Sequence, residues 1–154
     1  MQKFSINVIL YWTKQLISTY IHPKNNLVIM LFNGDVSSDD LKDNFDLFTS
    51  YDHFKFNMDS LIILNGSNPK LKASDLIDYI NYVQSRKVIR GDDFKIAIVS
   101  EEISSFRFIK LFEMSSKNRV YNTRHFTSAE SASKWLLNKR INLDLLLKNS
   151  SVIA

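Results

Sequence analysis

The chain has 154 residues, of which 45% are hydrophobic, 12% aromatic and 23% charged, a composition typical of one globular domain and unlike that of a disordered chain. It contains no cysteine, which excludes disulfide bonds, thiolate catalysis and zinc–sulfur sites. The formal net charge is +4, with 7 Lys/Arg and 8 Asp/Glu in residues 1–77 against 13 and 8 in residues 78–154. A solvated surface explains this asymmetry most simply, and a face that contacts an anionic partner is the alternative.

The amino-terminal sequence shows no signal for export. Met1–Leu10 contains one lysine and alternates polar with apolar residues, so it lacks the apolar core of a secretory signal. No apolar run approaches the roughly 20 residues that cross a bilayer. We therefore expect a cytoplasmic protein without a transmembrane segment.

The first elements in the chain are predicted to be strands. Phe4–Leu10 and Gln15–Ile21 alternate in the manner of half-buried strands. Leu27–Phe32 is continuously apolar, which indicates an interior strand buried on both faces. His22–Asn26, which contains a proline and two asparagines, is typical of a turn.

A helix is predicted next. Ser37 or Ser38 can cap its amino end, and Asp39 and Asp40 suit the dipole of its first turn. Its apolar stripe is formed by Leu41, Phe45 and Phe48. The clustered carboxylates lack the spacing and the glycine of a calcium loop, so a solvated helix face explains them better than a metal site does.

In the middle of the chain, predicted strands and helices alternate. Interior strands are predicted at Leu61–Leu64 and Phe94–Val99, and a more polar edge strand at Val120–Phe126. The clearest helical stripe runs over Ala73–Val83, and a second helix is predicted over Ser104–Ser116.

The carboxyl-terminal part is predicted to close the domain with helices. Thr127 and Glu130 match a T-x-x-E capping box, which predicts a helix start at Thr127. The residues predicted to face the sheet are Ala129, Ala132 and Leu136, with Trp135 beside them. A further helical turn at Ile141–Leu147 would complete a single domain over residues 1–148, and residues 149–154 are predicted to be a loose tail.

The predicted element order is β-β-β-α-β-α-β-α-β-α. Strands that alternate with helices predict a mostly parallel sheet with right-handed crossovers, and the two leading strands make the sheet mixed. The predicted fold is therefore α/β: a single mixed, mostly parallel β-sheet with about four helices packed mainly on one face.

Four sequence motifs carry a resemblance to a known family. They are KIAIVSEE at Lys95–Glu102, FIKLFE at Phe108–Glu113, RHFTS at Arg124–Ser128 and AESASKWL at Ala129–Leu136. With the element order, these motifs resemble the SpoIIAA-like family, small bacterial proteins of the STAS/CRAL-TRIO-like fold. The resemblance implies a mixed sheet with helices packed against it, no established catalytic activity, and a binding or regulatory role.

The resemblance also directs attention to Ser74. Anti-sigma-factor antagonists of this fold carry a phosphorylatable serine at a helix start, in a D-S-S-G-like context. The matching helix start here reads KASDL at Lys72–Leu76, so Ala73 replaces the acidic residue and the glycine is missing. Ser74 is therefore interpreted as an N-cap, worth about 1 kcal/mol, with a phosphoacceptor as the alternative.

No catalytic, metal or cofactor motif occurs in the sequence. His22, His53 and His125 include no i, i+4 pair, and neither H-E-x-x-H nor G-x-S-x-G is found. The three glycines are too few for a phosphate-cradling loop. Phe126 alternates with basic residues in the manner of a stacking strand, but a core position explains it and the glycine-rich RNA-binding signature is missing, so we do not expect nucleic acid as a partner.

The sequence therefore predicts a non-enzymatic regulatory or protein-binding module. Sites in open α/β sheets collect at the carboxyl ends of strands, which here are the loops and helix starts of Asn65–Ser74 and Ser100–Ser105. The candidate binding residues are Asn65, Ser67, Ser74 and Ser104, with Ser74 also the candidate phosphoacceptor. A small apolar-ligand or lipid-binding module, implied by the likeness to CRAL-TRIO domains, is the alternative, and a hydrolase built from scattered residues is a third hypothesis.

Overall fold

A six-stranded mixed sheet runs through the computed structural model of the chain, which describes residues 16–64, 71–101 and 122–153 and the positions 107, 109–110 and 112–113. Its strands are β1 (Ile17–His22), β2 (Leu27–Phe32), β3 (Asp59–Ile63), β4 (Lys95–Val99), β5 (Asn122–Phe126) and β6 (Ser151–Val152). Their spatial order is β5-β4-β3-β2-β1-β6. Strands β2 to β5 are parallel, whereas β1 is antiparallel to both β2 and β6. The prediction of a single mixed, mostly parallel sheet is confirmed.

Helices connect the strands wherever the sequence predicts them within the described residues. They are α1 (Ser38–Thr49), α2 (Ala73–Gln84), the short α3 (Lys87–Arg90), α4 (Ala129–Leu137) and α5 (Leu143–Lys148). The described positions between 107 and 113 are also helical. The predicted strand at Phe4–Leu10 lies outside the described residues. None of the helices in the described part is both long and apolar enough to span a membrane.

The sheet packs against helices on both faces. One apolar cluster joins alternate sheet residues such as Ile62 and Ile98 to α1, α2 and the helical positions Ile109 and Phe112. The other cluster joins the intervening sheet residues, such as Ala97, to α4 and α5. Because β2 to β5 are added in one direction with right-handed crossovers, their connecting helices fall on one face. The chain then returns across the other face to β6, so the helices expected mainly on one face are divided between the two.

Local hydrogen bonds explain where the first turn and helix begin. The predicted turn after β1 is a short 3-10 helix, Pro23–Asn25, and the His22 Nδ1 accepts a hydrogen bond from the Asn25 N–H at 3.2 Å. Ser37 is the N-cap of α1: its Oγ accepts from the Asp40 N–H at 3.1 Å, and the Asp40 carboxylate accepts from the Ser37 N–H at 2.8 Å. Of the two serines predicted as caps, Ser37 is therefore the one used.

The carboxyl-terminal segment differs from its prediction. Residues 149–154 were expected to form a loose tail, but β6 pairs with Tyr20 and Ile21 of β1. The Ile153 N–H also donates to the Thr19 carbonyl at 2.9 Å. The two residues of β6 are too few to show a periodic pattern, and the pairing joins the ends of the described chain. This contact could therefore not be predicted from local sequence.

Candidate functional site

The parallel strands end at one edge of the sheet, which we call the carboxyl edge. A cavity of about 270 Å³ opens there, where β3, β4 and β5 end and α4 begins. Its apolar wall is formed by Ile63, Leu64, Val99, Ala129 and Leu143, and its polar wall by Ser100, Glu101, Thr127, Ser128 and Glu130. Such edges are where open α/β sheets hold their ligands, and the volume suits a small polar group or a single side chain better than a large cofactor.

Backbone pairing beyond the strands fixes the shape of this cavity. The Leu64 N–H donates to the Val99 carbonyl at 2.9 Å, and the Ser100 N–H donates to the Phe126 carbonyl at 3.0 Å. The His125 Nε2 lies 3.2 Å from the Ser100 carbonyl oxygen, within hydrogen-bond distance. Contacts between the ends of neighbouring strands therefore hold these walls of the cavity in place.

The start of α4 contributes the cavity's polar side. Ser128 is the N-cap, and its Oγ accepts from the Ser131 N–H at 3.2 Å. The predicted cap at Thr127 is therefore wrong, because Ser128 holds the extended backbone conformation from which the helix starts. Glu130 lies in the first turn, where a carboxylate stabilises the helix dipole.

The polar groups that line the cavity are hydroxyls and carboxylates. The described residues that line it include hydroxyls and two carboxylates, Glu101 and Glu130, but no histidine or lysine that could activate a nucleophile. Across the part of the chain that the structure describes, no three His, Cys, Asp or Glu side chains are placed to hold a metal ion.

A wide groove lies at the same carboxyl edge, between the starts of α1 and α2. The charged residues that line it are Asp35, Asp39, Lys42, Asp75 and Asp78. Lys42 forms an ion pair with Asp78, and the hydrogen bond to this carboxylate raises the pKa of the Lys42 ammonium. The groove therefore keeps a surplus of negative charge.

Ser74 lies beside this groove, in the first turn of α2. Its side chain is exposed, and Lys72 rather than Ser74 is the N-cap. The Asp75 carboxylate accepts from the Lys72 N–H at 3.1 Å and thereby satisfies the helix start. The interpretation of Ser74 as a cap is therefore wrong, because the helix begins two residues earlier than that interpretation requires.

The other sequence-predicted site residues are not brought together by anything that the structure describes. Asn65, Ser67 and Ser104 lie outside the described residues. Ser100, which begins one of the two predicted contact segments, does line the cavity. The sequence missed Thr127, Ser128 and Glu130 as lining residues because their pattern was fully explained by helix capping. Their position directly after a parallel strand was the signal that could have found them.

Comparisons with protein-family models, with curated proteins and with solved structures found no match. The resemblance to the SpoIIAA-like family therefore stays a prediction.

Proposed function

We propose that this protein is a cytoplasmic, non-enzymatic regulatory module that binds a protein partner through its carboxyl edge. The observation that carries the proposal is that two concave surfaces at this edge are both lined by carboxylates. They are Asp35, Asp39, Asp75 and Asp78 in the groove and Glu101 and Glu130 in the cavity. On a chain with a net charge of +4, such an edge suits a partner that presents basic side chains.

Helix starts account for only part of this acidity. Asp39, Asp75 and Glu130 lie in first turns, where the helix dipole favours negative charge. Asp35 and Glu101 are exposed, and neither lies within a described helix. Their placement beside the concave surfaces supports a role in recognition.

The lipid-binding alternative receives less support from the packing. The apolar cavity between α1, α2 and the sheet, lined in part by Leu41, Phe45 and Ile80, holds about 40 Å³. That volume is on the order of one or two water molecules, so an acyl chain would have to displace core side chains. Protein binding needs no such rearrangement.

Ser74 gives the proposed surface a means of regulation. It is exposed in the first turn of α2, next to Asp75 and one turn from Asp78. A phosphate on its hydroxyl would add between one and two negative charges, which the helix start tolerates. The added charge would change the affinity of the edge for a basic partner.

Charge reversal at matched positions tests the proposal. The tagged double variant Asp35→Lys/Glu101→Lys alters the carboxyl edge, and Asp52→Lys/Asp92→Lys makes the same charge change in exposed turns at the opposite edge. Proteins retained from native lysate are then quantified by mass spectrometry. We expect a stoichiometric partner that the first variant loses by about tenfold or more and the second retains, as for the loss of interfacial charge pairs. Equal retention by both variants, or no stoichiometric partner with the wild type, contradicts the proposal.

A further inference from the structure

The geometry points to a binding surface for single-stranded nucleic acid where β5 and α4 meet. Its centre is formed by Lys95 of β4, Arg124 and Phe126 of β5, and Trp135 of α4, and we call it the β5–α4 surface. It does not depend on the function proposed above, since none of these four side chains lines the cavity or the groove.

Strand register brings the two central cations to one side of the sheet. Lys95 pairs with Asn122, and Ala97 pairs with Arg124, so Lys95 and Arg124 lie on the same face of neighbouring strands. The Lys95 Nζ lies 5.2 Å from the centre of the Trp135 indole ring, and the Arg124 Cζ lies 5.5 Å from it. Cation–π contacts of this length hold both charges beside one aromatic ring.

A second ring extends the aromatic part of this surface. The Phe126 ring centre is 5.5 Å from that of Trp135, with the two planes tilted by 40°. Both side chains are only half-buried, although the sequence indicated a core position for Phe126. Both rings pack on the apolar cluster between the sheet and α4, and the part of each ring that stays exposed is what a base could contact.

Three further cations lie close to this centre along the chain. Lys134, Lys139 and Arg140 are all exposed, on α4 or directly after it. Among the described residues, no carboxylate oxygen lies within 4.0 Å of the charged nitrogens of these three or of the two central cations. Glu130, one turn before Lys134, and Asp59, which accepts from the Lys95 backbone N–H at 2.8 Å, offset part of the charge. Asp93, whose charge acts on Asp59, is a third carboxylate. Five cations thus face three carboxylates among these residues, and the surplus of positive charge attracts anions.

The combination of cations with aromatic rings favours nucleic acid over the other anionic partners. Phosphates are bound by Lys and Arg, and bases stack on aromatic rings without sequence preference. A membrane surface would be expected to require exposed large apolar residues, and those of the described chain, such as Phe56, Val88 and Ile89, lie on other elements. An acidic protein segment would use the cations but would make no use of the exposed parts of the rings.

Fluorescence anisotropy with labelled oligonucleotides tests the inference on the full chain. The probes are oligo-dT and oligo-U of about 20 nucleotides, titrated between about 50 and 200 mM salt. We expect Lys95→Gln/Arg124→Gln to weaken binding by about tenfold or more and to reduce the slope of log affinity against log salt by about 1.4, at about 0.7 per lost phosphate contact. The matched control Lys24→Gln/Lys72→Gln, which neutralises two exposed cations elsewhere, should change the affinity less than about twofold.

Trp135 supplies a direct readout of the contact. The chain has two tryptophans, so Trp12→Phe leaves Trp135 as the single reporter, and we expect its emission to be quenched by the unlabelled oligonucleotides. Circular dichroism establishes that each variant is folded. Tighter binding of one probe assigns the surface to DNA or RNA. The inference is overturned by an equal effect of the two double variants, by unquenched Trp135 at saturation, or by polyglutamate that binds as tightly as either probe.

Discussion

Asn57 and Gly91 are in close contact at the edge of the sheet where the parallel strands begin. The Asn57 N–H donates to the Arg90 carbonyl at 3.0 Å, and the Asn57 Oδ1 accepts from the Asp93 N–H at 3.0 Å. Asn57 is therefore hydrogen-bonded to residues on both sides of Gly91. Gly91 has a φ of +93°, and a Cβ atom placed on it would lie 1.9 Å from the Asn57 Oδ1 and 2.8 Å from the Asn57 backbone nitrogen. This contact fixes the turn from α3 into β4.

We expect Gly91→Ala to lower the free energy of unfolding by about 3 kcal/mol or more, since backbone strain and a steric clash each contribute about 1–3 kcal/mol. Gly34→Ala is the matched control: Gly34 also has a positive φ, of +78°, but the nearest atom to its Cβ is the Leu16 Cδ2 at 3.4 Å. We expect Gly34→Ala to lower the free energy of unfolding by the backbone strain alone, about 1–2 kcal/mol. Urea unfolding measures both values, and equal losses would show that the Asn57 contact has no energetic importance.

The start of α4 allows a test between two adjacent hydroxyl residues. Ser128 caps the helix through the Ser131 N–H, whereas Thr127 is exposed one residue earlier. Ser128→Ala should therefore lower the free energy of unfolding by about 1 kcal/mol. Thr127→Ala should change it by less than about 0.5 kcal/mol, as is usual for an exposed side chain. Chemical denaturation measures both variants. A larger loss for Thr127→Ala than for Ser128→Ala would show that Thr127 is the cap, as the sequence predicted.

The sequence predicted the elements of the fold more accurately than their ends. Leu27–Phe32 was predicted with its observed limits because a strand buried on both faces is apolar throughout. At α4, Thr127 and Ser128 each satisfy a capping pattern, and only the backbone conformation decides between them. At α2, the helix starts after Lys72, a residue with no capping preference, because Leu71 and Leu76 must both be buried. Apolar patterns thus predicted the elements, and tertiary packing determined their ends.

The candidate site was predictable only in its location. The alternation of strands and helices predicts that a site lies at the carboxyl edge, and Ser100, which begins one of the predicted contact segments, lines the cavity there. The sequence could not show that the ends of β3, β4 and β5 enclose a cavity together with Leu143 of α5. That enclosure depends on the return of the chain across the second face of the sheet, which no local pattern encodes.

Ser133 connects α4, whose first residues line the cavity, to the segment that leads into α5. It is fully buried in α4, and its Oγ accepts from the Ile141 N–H at 2.8 Å while lying 2.8 Å from the Glu130 carbonyl, to which it donates. Ser133→Ala would leave the partly buried Ile141 N–H without this partner, so we expect the free energy of unfolding to fall by about 1 kcal/mol or more. Ser131→Ala, on the same helix but partly exposed, should lose less than about 1 kcal/mol. Thermal and urea unfolding measure both variants. Similar losses for Ser133→Ala and Ser131→Ala would contradict this role of Ser133.

His22 should make the stability of the fold depend on pH. Its side chain is 3% exposed, and burial lowers the pKa of the imidazole from its ordinary value of 6.5, with a further contribution from the charge of Lys24. The neutral ring also presents Nδ1 as the acceptor for the Asn25 N–H. Protonation of Nδ1 would remove that hydrogen bond and place a cation in the interior.

The direction of the effect follows from which state binds the proton first. Because the pKa of His22 is lower in the folded chain, the unfolded chain takes up the proton first as pH falls below about 6.5. Full stability is therefore present above this pH and is lost as pH falls toward the folded pKa. We expect His22→Asn, whose Oδ1 can still accept from the Asn25 N–H, to flatten the loss of stability between about pH 7 and 5. His53→Asn, at an exposed position, should leave the wild-type slope intact in the same urea titrations, and a slope that persists in the His22 variant would assign the acid sensitivity to another group.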